Sequence, residues 1–289
     1  MYMSIDTPDI RPVFDHTSCD QVRLLGKRVW GSNDEAVAPT PLLITMVKNG
    51  GVLLAAYLPD GPDELDRMVG FVLGYPGYGM NANNVLTPKH CSHQIAVLPG
   101  YQRRGIGLQL KLAQREAVLS QGVTDWVTWT FDPLQRVNAI FNLTRLGATS
   151  HTYISDAYGH LDDDLNAGRT SDRLQVDWRL SSKRVVKAIT LQNPDYHYLP
   201  NKLHVIPQPH PDTNIKIDLP SSVDNTSVAI PIPTEINNNS KSEKLLLSRW
   251  SYLFQSTLTF AFDEGYKLTG CSKLKGIGWH YILSPNYPG

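Results

Sequence analysis

The hexapeptide Gln102-Arg103-Arg104-Gly105-Ile106-Gly107 limits what this chain can fold into more than any other stretch. Upstream of it, His93 to Leu98 reads as a short apolar strand that Pro99 and Gly100 end. Downstream, Leu108, Leu110, Leu112, Ala113, Ala117, Val118 and Leu119 recur with helical spacing. The glycines therefore lie at a strand-to-helix junction. There the first amides of the helix have no helical acceptor, and the helix dipole adds partial positive charge. Glycine at 105 and 107 removes the Cβ atoms that would hold an anion off the backbone, and Arg103 and Arg104 add fixed charge. The combination predicts a phosphate cradle.

Two better-known phosphate loops are excluded by single positions. A dinucleotide fingerprint needs a third glycine where Leu110 stands, and a P-loop needs Lys-Ser/Thr where Leu108 and Gln109 follow Gly107. What remains is V-x-P-x-x-Q-x-x-G-x-G, carried by Val97, Pro99, Gln102, Gly105 and Gly107. This string resembles motif A of the GNAT acyltransferases, whose loop holds the pyrophosphate of an acyl-coenzyme A. The resemblance implies a cofactor site made by Val97, Leu98, Gln102, Arg103, Arg104, Gly105, Ile106, Gly107 and Leu108. It implies acetyl-CoA, or a larger acyl-CoA such as succinyl-CoA, as co-substrate and no metal.

The remaining elements follow in order. Residues 1–15 read as a loose lead, and Ser18 to Val29 as a helix closed by Trp30-Gly31. Pro39 to Leu42 reads as the start of a second helix or as a loop over the active site. Leu42–Val47 and Val52–Tyr57 then flank Lys48-Asn49-Gly50-Gly51, which predicts a β-hairpin, with Met68–Tyr75 as the next strand. Trp126–Phe131 is an aromatic, β-branched strand, Gln135–Leu146 a helix, and His151–Ser155 and Leu174–Leu180 two closing strands. This order matches the mixed, mostly antiparallel α+β sheet of the GNAT fold over roughly residues 16–182. Asn138 to Ala148 resembles that family's late helix, and Asn138 takes the position that hydrogen-bonds the pantetheine arm.

After Ser182 the texture changes. Prolines recur between 183 and 240, a connecting segment without a long helical period. From Lys241 to Asp263, Leu246, Trp250, Leu253, Phe254, Thr257 and Ala261 form one helix face, capped by Ser240. Tyr266–Cys271 and Trp279–Leu283 then read as strands. The expected division is thus a catalytic domain over 1–182, the connector over 183–240, and a helix-plus-hairpin unit over 241–289 that completes a smaller C-terminal β-α-β-β unit. The extension would pack on the core and narrow the acceptor cleft, or build a protein-docking surface or a homodimer interface.

Lysine plus arginine equals aspartate plus glutamate at 27 each, so no global field attracts nucleic acid or an acidic membrane. The three cysteines, far apart, argue against a disulfide framework or a zinc site. The first ten residues lack a basic start and an apolar core, so the expected location is cytoplasmic.

Acyl transfer to an amine needs a base, a donor for the developing oxyanion and a way for the thiolate to leave. The resemblance assigns the oxyanion donor to the backbone N–H of Val97 or Leu98. His93 is the candidate base: serotonin N-acetyltransferases place a histidine four residues before the matching valine. Strand alternation would put His93 on the face of Ile95 and Val97, and His90 on the other. A satisfied histidine within the sheet is the alternative. The family's leaving-group tyrosine falls at Leu143, which cannot donate a proton, leaving solvent or Tyr153, Tyr158 or Tyr101. Asp162-Asp163-Asp164, Asp156, Asp172, Arg169 and Arg173 could recognise an amine or amino acid, or form a solvated loop. The resulting expectation is an N-acyltransferase acting by direct transfer on a small-molecule amine. A silent acyl-CoA sensor and a protein lysine acetyltransferase are its rivals.

Overall fold

In the computed structural model, residues 7–31, 37–81, 83–159, 171–191, 200–210, 219–220, 224–234, 240–285 and 287 are described. They divide into two compact units, one running to Trp129 and the other beginning at Thr130. The boundary between compact units therefore falls inside a strand, not after Ser182.

The first unit is a mixed sheet. β1 (Asp9–Pro12), β2 (Val52–Tyr57), β3 (Met68–Met80) and β4 (Leu86–Val97) pair antiparallel in that order, so the N-terminal lead becomes an edge strand. β5 (Trp126–Phe131) joins β4 in parallel, at His90↔Val127 and Cys91↔Thr128. Phe71 and Leu73 of β3 and Ala96 of β4 form a core with Val22 and Leu25 of α1 (His16–Trp30) and Leu43 of α2 (Thr40–Lys48). Phe71 meets Trp30 edge-on with ring centroids 6.0 Å apart. Each fully buried side chain of this size contributes roughly 1.5–3 kcal/mol. On the opposite face lies α3 (Ile106–Ser120): a Cβ on Gly70 would stand 3.3 Å from Leu110 Cδ1.

One expected element is overturned here. Leu42–Val47 is helical, part of α2, and no hairpin joins it to β2. Pro41 sits in the first turn, where its missing N–H costs nothing, and Asn49-Gly50 ends the helix rather than turning a hairpin. Asn49 Nδ2 donates to the Thr45 carbonyl at 2.8 Å, and Gly50 takes φ +84°.

The second unit orders its strands β7-β6-β10-β11-β9-β8. β6 is Thr149–Ile154, β7 Arg173–Arg179, β8 Leu203–Val205, β9 Ser227–Pro231, β10 Lys267–Leu274 and β11 Gly278–Ser284. Between β5 and β6 the late helix is one turn of α4 (Arg136–Ala139) continued as a π-helix over Ile140–Arg145. A helix that the residue spacing does not predict, α5 (Lys183–Thr190), starts on a Ser182 side-chain cap at the head of the 183–240 connector. α6 (Lys241–Asp263) has the expected bounds and a full capping box between Ser240 and Glu243.

The extension repeats the series before it. β4∥β5, the late helix, then the antiparallel pair β6 and β7 is followed by β8∥β9, α6, then the antiparallel pair β10 and β11. The equivalent strands β6 and β10 pair with each other, antiparallel, at Ser150↔Leu268. The expected β-α-β-β unit is therefore present as β9-α6-β10-β11, built into the same sheet as β6 and β7. Among the described residues no helix is long and apolar enough to cross a membrane.

Candidate active site

The loop between β4 and α3 has the conformation its sequence demands. Gly105 is the residue before the helix and adopts φ +83°, a left-handed value that costs glycine nothing. The first helical bond closes from Gln109 N–H to the Gly105 carbonyl at 3.2 Å, so helix geometry leaves the N–H groups of Ile106, Gly107 and Leu108 without helical acceptors. A Cβ on Gly105 or Gly107 would meet nothing within 4 Å, so the space above these amides is open to a ligand. Arg103, exposed and itself left-handed at φ +62°, projects from the same turn. Arg104 is engaged elsewhere: it pairs with Asp60 at 2.9 Å and lies 5.2 Å from the Tyr101 ring centroid. Ile106 is buried, and anchors the first turn to the core. The donors and the open glycine face fit a diphosphate.

Gln102 has a definite task. Its Nε2 donates to the Val97 carbonyl at 3.1 Å, tying the loop to the end of β4. The Leu98 N–H donates to the Val69 carbonyl at 2.9 Å, which makes Leu98/Val69 a hydrogen-bonded pair of the antiparallel ladder. The preceding pair, Val97↔Gly70, is then non-hydrogen-bonded, and the Val97 N–H points away from β3 toward the β5 side. Leu98 is therefore spent within the sheet and drops out as an oxyanion donor. Val97 keeps the orientation the role needs. Parallel pairing of β4 with β5 is confined to His90 and Cys91, so at Val97 the two strands have parted.

His93 requires a correction. Gly74 pairs with Ser92 and Leu73 with Gln94, which leaves His93 as the extra residue of a β-bulge. Alternation does not run through a bulge. Val97 packs toward Leu110 on the α3 face, whereas His93 lies against Tyr75, ring centroids 5.9 Å apart. Tyr75 follows Phe71 and Leu73 on the face that carries α1 and α2. His93 and Val97 thus belong to opposite faces of β4, and only the backbone N–H of Val97 can act jointly with the imidazole. Desolvation around His93 pulls its pKa below 6.5, so the ring is a neutral proton acceptor near pH 7.

His90, on the α3 face, enters a buried polar cluster that no sequence motif signalled. Gln114 Oε1 accepts from Lys111 Nζ at 2.8 Å and from Ser92 Oγ at 3.0 Å. Its amide nitrogen therefore faces His90 Nε2, 3.4 Å away. Lys111 Nζ also donates to Ser92 Oγ and stands 3.7 Å from the Trp129 ring centroid. Burial, with the Lys111 charge as a lesser cause, lowers the His90 pKa to about 4. Burial likewise pulls the Lys111 ammonium well below its ordinary 10.5.

In the second unit, Asn138 is exposed on the single turn of α4, while Asn142 is buried in the π-helix. Leu143 is buried in the π-helix, at 1 % exposure. The tyrosines named as substitutes separate cleanly. Tyr101 donates to the Asp60 carbonyl in the first unit. Tyr153 donates to Asp172 Oδ2 at 2.8 Å, and burial with that carboxylate drives its pKa far up, so its proton is held. Tyr158 is exposed, and its hydroxyl meets Thr130 Oγ1 of β5 at 2.9 Å. Ser171 Oγ donates to Asp156 Oδ1 and the Asp156 N–H donates to Asp172 Oδ1, each at 2.9 Å, and the Arg173 guanidinium lies 5.4 Å from the Tyr158 ring centroid. Asp162, Asp163, Asp164 and Arg169 lie outside the described residues.

No family model matches the chain, and no curated protein matches it. Solved structures do. NAA60 of Arabidopsis thaliana, in complex with a bisubstrate analogue, is 15% identical, with 60% of this chain and 98% of that chain covered at a TM-score of 0.46. The ribosomal-protein-S18-alanine N-acetyltransferase of Escherichia coli is 16% identical, covers 61% and 95%, and has a TM-score of 0.44. An aminoglycoside 6'-acetyltransferase type Ii is 18% identical, covers 61% and 99%, and has a TM-score of 0.44. At that distance they say nothing of what this chain acts on.

Proposed function

We propose that this chain is an acyl-CoA-dependent N-acyltransferase, with acetyl-CoA as default donor, acting by direct transfer on the amine of a small molecule such as an amino acid. The observation that carries the reading is the end of β4. There Gln102 fastens the loop to the Val97 carbonyl, the glycines open the helix amides to an anion, and the Val97 N–H is turned out of the β3 ladder.

Acyl-CoA supplies an activated thioester carbonyl when bound. The amides of Ile106, Gly107 and Leu108 with Arg103 would hold its diphosphate. Asn138 is assigned to the pantetheine arm. The Val97 N–H donates to the carbonyl oxygen as negative charge develops on it. Neutral His93 accepts the proton lost by the attacking amine. With Tyr153 tied to Asp172, Tyr158 is the hydroxyl we assign to protonate the departing thiolate. Asp156, whose Oδ1 alone accepts from Ser171, offers a carboxylate to an ammonium, and Arg173 a guanidinium to an acceptor carboxylate.

Thiol release from acetyl-CoA and succinyl-CoA across amino acids, polyamines and aminoglycosides tests this reading. Turnover with one amine class is expected, and His93→Ala should lower it by about 10²–10⁴-fold. CoA affinity without turnover across the panel would instead favour a sensor, the reading that Leu143 supports.

A further inference from the structure

The second unit contains a cavity of about 360 Å³ where α5, the π-helix and β10 meet. Its walls are apolar where Leu143, Ala188 and Gly270 face it, and Lys183, Arg184 and Lys187 bring positive charge from successive turns of α5. Among the described residues that line it, none is acidic. We propose that this cavity binds a small organic anion, a carboxylate or phosphate ester with a compact apolar body, at a site separate from the 102–107 loop.

The geometry around Arg184 is the main argument. Its Nε donates to the Gly147 carbonyl at 2.8 Å, and an Nη donates to the Leu143 carbonyl at 3.1 Å and to the Thr269 carbonyl. Those acceptors are main-chain dipoles without net charge, so they fix the guanidinium in place and leave its full positive charge at the cavity wall. Tyr287 lies 5.8 Å from that guanidinium and covers one side. A fixed cation in a partly desolvated recess, with two lysines at the rim, lowers the free energy of a bound anion more than the same charges would in open solvent.

The packing shows that the recess is constructed. Gly147 takes φ +69° at the end of the π-helix, and a Cβ there would stand 2.8 Å from Ala188 Cβ. Glycine thus permits both the turn and the close approach of α5 that forms the roof. Cys271 also lines the cavity, but burial pushes its thiol up to about 12, so it offers an apolar surface rather than a nucleophile. The size falls at the small end of ordinary ligand pockets, which excludes a whole nucleotide cofactor and suits a compact metabolite.

Thermal unfolding of the full chain at constant ionic strength tests the proposal, with citrate and glycerol 3-phosphate as carboxylate and phosphate probes. Three proteins are compared: the unaltered chain, K183E/K187E, and Arg103→Glu at the other anion site. A saturable rise in midpoint of roughly 5 °C with one probe is expected. It should be lost in K183E/K187E, which keeps its affinity for CoA, and retained in Arg103→Glu. A rise that disappears in Arg103→Glu but survives in K183E/K187E would place the anion at the loop and overturn the proposal. So would no rise with either probe. Neither outcome bears on acyl transfer, which is read separately by thiol release.

Discussion

Replacing His90 by glutamine tests the buried cluster on the α3 face of β4 quantitatively. His90 is 1 % exposed, and the amide of Gln114 is oriented toward its Nε2 because Lys111 and Ser92 occupy the Gln114 oxygen. Protonating Nε2 would set a donor against a donor, beside a second cationic group. The folded-state pKa accordingly lies at about 4 against an ordinary 6.5. Below 6.5 the unfolded chain binds a proton that the folded chain refuses, so acid favours unfolding until the folded form titrates near 4. At about 1.4 kcal/mol per pH unit, this single residue removes about 3 kcal/mol of stability across that window. Glutamine keeps a polar partner for Gln114 and has no proton to bind. Urea unfolding of both proteins at steps from pH 7 to pH 4 gives the difference in stability, in which groups common to both cancel. The unaltered chain should lose about 3 kcal/mol relative to H90Q as pH falls. A difference that stays constant across the range would refute the arrangement of the cluster.

The other perturbations probe separate parts. Lys111→Met should flatten the alkaline side of the same curve: the folded amine sheds its proton well before 10.5, so the unaltered chain gains stability over the variant as pH rises toward 10.5, by urea unfolding. Gly105→Asp or Gly107→Asp should abolish CoA binding measured by calorimetry, the first through both a left-handed backbone and an added negative charge, the second through charge alone; unchanged affinity would mean the cradle is elsewhere. Tyr281→Phe removes the 2.6 Å bond from a fully buried hydroxyl to the Pro133 carbonyl at the start of the late helix, and should cost about 1–3 kcal/mol in urea unfolding. Tyr158→Phe should lower kcat for thiol release more than it changes KM, with rescue by acyl thioester donors whose thiol leaving group is more acidic; equal kcat would return protonation of the thiolate to solvent.

Local chemistry was enough for the elements whose partners are near in sequence. The Gly105 turn, α3, β5 and the Ser240-capped α6 each depend on residues within a turn or a strand of one another, so spacing alone predicts them. The Val97 N–H is turned out of the β3 ladder, the orientation that the role expected from motif position requires. Side-chain direction did not survive. Whether His93 shares a face with Val97 depends on one unpaired residue opposite Leu73 and Gly74, and a bulge is a property of two strands together. The Leu98 N–H was claimed by Val69, a partner 29 positions away, and α2 overrode a β-rich composition because Leu43 could be buried beneath α1.

The extension shows the boundary most clearly. From sequence it was a proline-broken connector followed by a helix and two strands, since nothing in its residues repeats the motif loop or the late helix. Its element order nevertheless repeats β4 to β7, and its equivalent strand β10 pairs with β6. Sequence by itself determined the turn at Gly105, the start of α3 and the Ser240 cap of α6, because those depend on φ, hydrogen bonds and charge over a few residues. Tertiary structure alone decided strand register, which N–H groups remain available, and how the extension joins the sheet. Those depend on which distant backbone edges come together, and that is settled by the burial of apolar faces drawn from the whole unit.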